Sequence, residues 1–184
     1  KIMELMNSSA ELNFMGLLDT IVEDVQINST LNIPIKVRSF TGHKFPSGTT
    51  FSREAWIELR VTDQNQNLIY SSGVITDNSE DLNYNDENLL VFTSWLLNED
   101  GDTIREASNA YDYIDNTLNT MGVRFHNYEI FIDESMNGPL SVSARLRFRA
   151  FKPFILAEFN PELLPNIPIY EIDSINTQIN ILEQ

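Results

Sequence analysis

Ser141-Val142-Ser143-Ala144-Arg145-Leu146-Arg147-Phe148-Arg149-Ala150 alternates without a break. Val142, Ala144, Leu146, Phe148 and Ala150 fall on one face, and Ser141, Ser143, Arg145, Arg147 and Arg149 on the other. A period of two is the signature of a strand with one buried side. The three arginines are a quarter of the chain's 12 Lys and Arg. They are expected to meet acidic residues on a neighbouring strand, because opposite charges across a sheet attract.

Working outward, the same period recurs. Ile33, Ile35 and Val37 alternate with Lys36 and Arg38, and Ile57, Leu59 and Val61 alternate with Trp56, Glu58, Arg60 and Thr62. Asp63-Gln64-Asn65-Gln66-Asn67 has turn chemistry, so residues 55 to 75 read as a hairpin. Leu89 to Leu97, Val123 to Ile132 and Tyr170 to Ile181 also read as strands. Residues 103 to 121 carry little periodicity and are expected to wander over the surface. Pro153 to Leu164 is expected to hold a short helix ended by Pro165 and Pro168. Ile2, Leu5, Met6, Leu12 and Met15 approach a helical period, which predicts an N-terminal helical connector over 1–18 ahead of a domain over 19–184. Strands separated by turns, with no βαβ rhythm, predict an all-β antiparallel sandwich of the immunoglobulin-like kind.

Composition narrows the function. A chain of 184 residues suits one domain with a real core. Its net charge of −15 argues against nucleic acid and anionic membranes as partners. No run of about 18 apolar residues exists to span a bilayer. The absence of cysteine excludes disulfides, zinc–thiolate sites, thiol catalysis and covalent haem attachment through C-x-x-C-H within this chain. No nucleophile elbow, P-loop, dinucleotide fingerprint or H-E-x-x-H is present. The chain opens Lys1-Ile2-Met3, which reads as a mature product or an excised piece.

The chemistry-bearing segment is Thr41-Gly42-His43-Lys44-Phe45-Pro46-Ser47-Gly48. It sets one of two histidines in a loop bounded by glycine and proline. This segment is followed at characteristic spacing by Arg53-Glu54-Ala55-Trp56-Ile57-Glu58-Leu59, Val61-Thr62-Asp63 and Ile69-Tyr70-Ser71-Ser72-Gly73. From about residue 20 onward the chain resembles the C-terminal β-sandwich domain of multihaem c-type cytochromes. The stretch 139–149 is similar to that domain's penultimate strand.

The resemblance implies a haem-free domain or subunit that packs on a haem c held by an upstream region or a partner chain. It implies His43 as axial ligand to the haem iron, against the alternative of a ring that hydrogen-bonds within the loop and only fixes its shape, and an exported, periplasmic or extracellular setting. Lys44 and Arg53 are candidate partners of the haem propionates, against the alternative of salt bridges to this chain's own carboxylates. It implies support of electron transfer rather than catalysis, and it leaves oligomerisation open. The departure from the family is the missing C-x-x-C-H. The competing expectation is an extracellular immunoglobulin-like binding or adhesion module with no redox role.

Two further groups carry weaker signals. Asp81, Asn83, Asn85 and Glu87 alternate oxygen-bearing side chains, as calcium requires. The EF-hand pattern fails, because Asp86 stands where glycine belongs and Phe92 where glutamate belongs. A solvated acidic loop is the alternative. His126 reads as an ordinary strand residue and Trp56 as core packing beside the motif.

Overall fold

In a computed structural model, residues 2–19 and 21–182 are described. The helix α1 covers Ile2–Asn7. It is followed by β1 (Ala10–Asn13), β2 (Val25–Gln26) and β3 (Ser29–Ser39). Next come β4 (Glu54–Thr62), β5 (Leu68–Ser72), β6 (Val91–Phe92), β7 (Ser94–Leu97), β8 (Thr103–Ile104) and β9 (Asp112–Asp115). The chain closes with β10 (Val123–Ile132), β11 (Leu140–Arg149), α2 (Pro153–Phe159), β12 (Ile169–Ile179) and β13 (Ile181–Leu182).

Two sheets face each other. One has the order β1-β3-β10, and the other β12-β11-β4-β5 with β6 added to β4. Their pairings are antiparallel. Leu31, Ile33, Ile35 and Val37 of β3 meet Ile57, Leu59, Val61, Val142, Ala144 and Leu146 of the opposite sheet in one buried cluster. The fold is an all-β sandwich. The alternation on β3, β4 and β11 supplies its core.

The N-terminal helix is shorter than its periodicity implies. Ser9 turns back on Met6, its backbone N–H and Oγ both donating to the Met6 carbonyl at 3.0 and 2.6 Å. Ala10–Asn13 then pairs with Ser39 to Lys36 on the edge of β3. Ala10 and Leu12 satisfy a period of two as well as one of 3.6, and both are buried in the core. The side chains of Ile2 and Leu5, assigned to the same apolar stripe, lie outside the described residues. The edges of the two sheets meet here, where the Leu12 amide donates to the Asp173 carboxylate of β12 at 2.8 Å.

The apolar run 89–97 is two strands in two sheets. Thr93 separates them, its hydroxyl donating to the Arg53 carbonyl at 2.7 Å. Val91–Phe92 joins β4, while Ser94–Leu97 becomes the centre of a small sheet of order β8-β7-β9. Residues 103–121, expected to wander, supply both flanks of that sheet. Helix α2 begins with Pro153 at its first position, where a missing N–H costs nothing.

A second buried cluster lies on the outer side of β4. Trp56, Ile75, Leu82 and Val91 form it, with Tyr84 packed against them. Through Leu82 and Tyr84 the acidic loop 77–88 therefore covers this side of the sheet, while most of its other residues stay exposed. Gly73 makes this approach possible at φ +66°, since a Cβ there would lie 2.3 Å from the Ile57 carbonyl oxygen. Trp56 Nε1 donates to the Gly73 carbonyl at 2.9 Å.

Candidate functional site

The His43 loop leaves the end of β3 and returns into β4. Its shape is fixed by hydroxyl and amide bonds inside the turn. Thr41 Oγ1 shares a 2.8 Å hydrogen bond with Ser39 Oγ and donates to the His43 carbonyl at 2.6 Å. Phe45 and Leu118 exchange a pair of 2.8 Å backbone bonds, which pins the loop to the chain that follows β9. Phe45 and Pro46 are buried, whereas Gly42, His43 and Lys44 are exposed. The loop thus has an anchored half and a presented half.

The imidazole is oriented by its neighbour's backbone. His43 Nδ1 lies 3.0 Å from the Lys44 carbonyl oxygen. A carbonyl only accepts, so Nδ1 carries the proton and Nε2 keeps its lone pair in the neutral ring. This is the arrangement that holds metal-ligating histidines in one tautomer and one orientation.

The ring stands at the rim of an open groove of about 470 Å³, lined among others by Met6, Phe40, Phe45, Arg53 and Phe148. The lining is mostly apolar, and its size is that of a small-molecule or cofactor site.

Arg53 lines the groove, whereas Lys44 does not. Lys44 Nζ is ion-paired to Asp115 of β9. The hydrogen bond from Lys44 draws the Asp115 carboxyl down to about 2, helped by a hydrogen bond from Thr117, and the same pair raises the Lys44 ammonium. Arg53 Nη1 donates to the Ser47 carbonyl at 2.6 Å. Gly48, at φ +81°, leaves room for this, because a Cβ there would sit 2.8 Å from Arg53 Nη1. Arg53 has no carboxylate partner among the described residues.

His126 is placed elsewhere. It lies on β10 opposite Ile35, half-buried, with its ring edge-on to Tyr128 at a centroid distance of 4.5 Å. Burial lowers its pKa. Nothing brings it near His43.

Two of the four oxygen-bearing residues of the acidic loop, Asp81 and Asn83, are used within the protein. Asp81 Oδ1 accepts from the Phe154 amide at 3.1 Å, and Asn83 Oδ1 from the Asn85 amide at 3.2 Å. The first ties the loop to the start of α2, and the second shapes a local turn. Glu87 and Asn85 are not gathered with them into an acidic cage. No group of three or more His, Cys, Asp or Glu side chains able to hold a metal ion exists among the described residues. Calcium has no support.

Sequence reasoning missed the polar chemistry under the acidic loop. Arg149 meets an acid on the neighbouring strand, as expected of the arginine row, but it is fully buried, which the pattern did not show. Its Nε donates to Glu54 Oε1 at 2.6 Å, its Nη1 donates to the Glu80 carbonyl at 2.7 Å, and Tyr84 Oη donates to Glu54 Oε2 at 2.7 Å. Lys152 is also buried, 3.7 Å from the centre of the Trp95 ring, and donates to the Ser94 carbonyl at 3.2 Å. Desolvation brings Lys152 down to about 8. The rest of the row meets acids as expected, with Arg147 paired to Glu58 and Arg145 3.8 Å from Glu171. The signal available was the register Arg149 opposite Glu54, which needs the strand pairing to be known.

No protein-family model matches the chain, and no curated protein matches it. Among solved structures it is similar to a penta-haem cytochrome c552 from Thermochromatium tepidum, with a TM-score of 0.71 and 16% identity, over 96% of this chain and 41% of that one. The chain thus spans well under half the length of that cytochrome. Weaker matches are a PapD-like domain of human CEP192 (TM-score 0.33, 8% identity, 97% of this chain and 89% of that one) and a DUF4466 protein from Parabacteroides merdae (TM-score 0.33, 10% identity, 93% and 44%). The first match shares the fold. Among the described residues no helix is long and apolar enough to cross a membrane.

Proposed function

We propose that this chain is a haem-free β-sandwich domain or subunit of an exported multihaem c-type cytochrome assembly. Its groove packs on a haem c held by another stretch of polypeptide, and His43 Nε2 is the axial ligand. The observation that carries this reading is the Nδ1 bond to the Lys44 carbonyl, which leaves Nε2 as the outward electron pair at the rim of an apolar groove. The fold shared with a penta-haem cytochrome supports it.

The residues present fit the group. Met6, Phe40, Phe45 and Phe148 offer an apolar bed for a macrocycle edge, and Arg53 has a guanidinium free of carboxylates for a propionate. Lys44 is committed to Asp115, so Arg53 is the stronger propionate partner. With no cysteine, the covalent attachment belongs to the other polypeptide. Bound haem supplies the redox centre. The chain's own residues orient the imidazole and exclude water from one haem face, which tunes a potential without performing catalysis.

The test uses a haem c peptide with one open axial position. Added to the chain, it is expected to give a low-spin bis-nitrogen Soret spectrum. His43→Ala should lose that spectrum and His126→Ala should keep it. Identical spectra from wild type and His43→Ala would overturn the reading.

A further inference from the structure

The small sheet β8-β7-β9 is exposed in a way the rest of the molecule is not. Every residue of β9 is exposed. On the sheet's inner side Trp95 of β7 packs on Tyr84 and Lys152, and Ile114 opposite it on β9 stays exposed. On the outer side, register puts Tyr113, Leu96 and Ile104 side by side across the three strands. Leu96 and Ile104 are half-exposed, and Tyr113 is 58% exposed. An apolar row across a sheet, rimmed by polar residues and open to water, marks an interaction face.

The charge around that row selects the occupant. Leu97 pairs with both Thr103 and Asp112, so the 98–102 turn and the start of β9 form one tip. That tip carries Glu99, Asp100, Asp102 and Asp112. No Lys or Arg pairs with these four among the described residues. The nearby Arg105 lies over the Phe154 ring instead, at 5.2 Å. A second copy would bring a like-charged tip to the same place, which opposes self-association. Phosphate-bearing partners are repelled for the same reason.

The mode of contact is also limited. The Tyr113 amide donates to the Asp112 carboxylate at 2.8 Å. That N–H is therefore occupied, which removes one backbone donor from those an added strand would use.

We propose that the outer face of this sheet, Tyr113–Leu96–Ile104 with its acidic tip, docks a protein surface rich in lysine or arginine interspersed with apolar residues. The face adjoins the His43 loop through the Lys44–Asp115 pair. The proposal does not rest on the haem reading, and its probe contains no haem.

The probe is a short lysine-rich peptide with leucines between the lysines, and its glutamate-rich counterpart is the control. Backbone amide shifts are expected in β7, β8 and β9, with affinity falling as salt is raised. Tyr113→Ser should weaken binding roughly fivefold or more, and Tyr113→Phe should retain it. Asp102→Asn with Asp112→Asn should flatten the salt dependence. Shifts scattered over the whole acidic surface, equal binding of the glutamate peptide, or indifference to Tyr113→Ser would each overturn the proposal. So would concentration-dependent shifts of the same amides with no peptide present, which would assign the face to a second copy.

Discussion

The molecule holds cations in two contrasting places. Under the acidic loop, Arg149 and Lys152 are enclosed and every charge is bonded to a carboxylate, a carbonyl or a ring. At the His43 loop the polar groups stand in water beside an apolar groove. The first region uses charge to fasten a loop across a sheet. The second keeps an imidazole aimed while leaving its second nitrogen without work inside the fold. Burial makes polar groups expensive to disturb, and exposure makes them cheap to disturb but available to a partner.

That contrast breaks most visibly at Arg149. Arg149→Met strands Glu54 as an uncompensated buried charge and should cost about 3–5 kcal/mol in urea unfolding. Adding Glu54→Gln should return much of that loss. If Arg149→Met is no worse than an ordinary surface change, the buried cluster is not the fastening described above.

Lys152 sharpens the contrast through pH. Its folded value, about 8, lies below its unfolded value of 10.5. Between those limits the unfolded chain holds more protons, so stability rises with pH. The gain should reach about 1–1.5 kcal/mol by about pH 9 and vanish in Lys152→Met. The window is read below about pH 9, because Tyr70, Tyr84 and Tyr128 are all raised by burial and oppose the trend once unfolded tyrosine begins to ionise. A flat profile in the wild type would count against a desolvated ammonium.

The smallest effect belongs to the exposed loop. His43→Ala should change unfolding free energy by less than about 0.5 kcal/mol, as surface substitutions do. A loss of several kcal/mol would mean that the ring braces the fold rather than serving an outside group.

Much of this architecture was legible in the chain. The alternation on β3, β4 and β11 marks one face of each as core, and those strands form the sandwich. The glycine- and proline-bounded loop announced an exposed His43. Other features were hidden for identifiable reasons. Ala10 and Leu12 fit two periods at once, and the free edge of β3 decides between them. The strands β8 and β9 carry no alternation because neither side of β9 is buried. The Arg149–Glu54 pair joins residues far apart in the chain, and an arginine that ends up enclosed has the same letter as one that ends up solvated. Sequence pattern reports burial only where burial follows the strand period. The cover formed by loop 77–88 adds burial on the side the pattern assigns to water.

The cations over the aromatic rings have an optical consequence. Trp95 lies under the Lys152 ammonium, and Trp56 has the Arg149 guanidinium 5.3 Å from its ring centre. The chain contains two tryptophans, so each indole emits beside a buried positive charge. A guanidinium keeps its charge as a class, whereas the Lys152 ammonium is drawn down by desolvation. Emission from Trp95 is therefore an intrinsic gauge of the Lys152 proton, with Trp56 as its fixed reference, and no dye or label is needed to follow the interior of this protein.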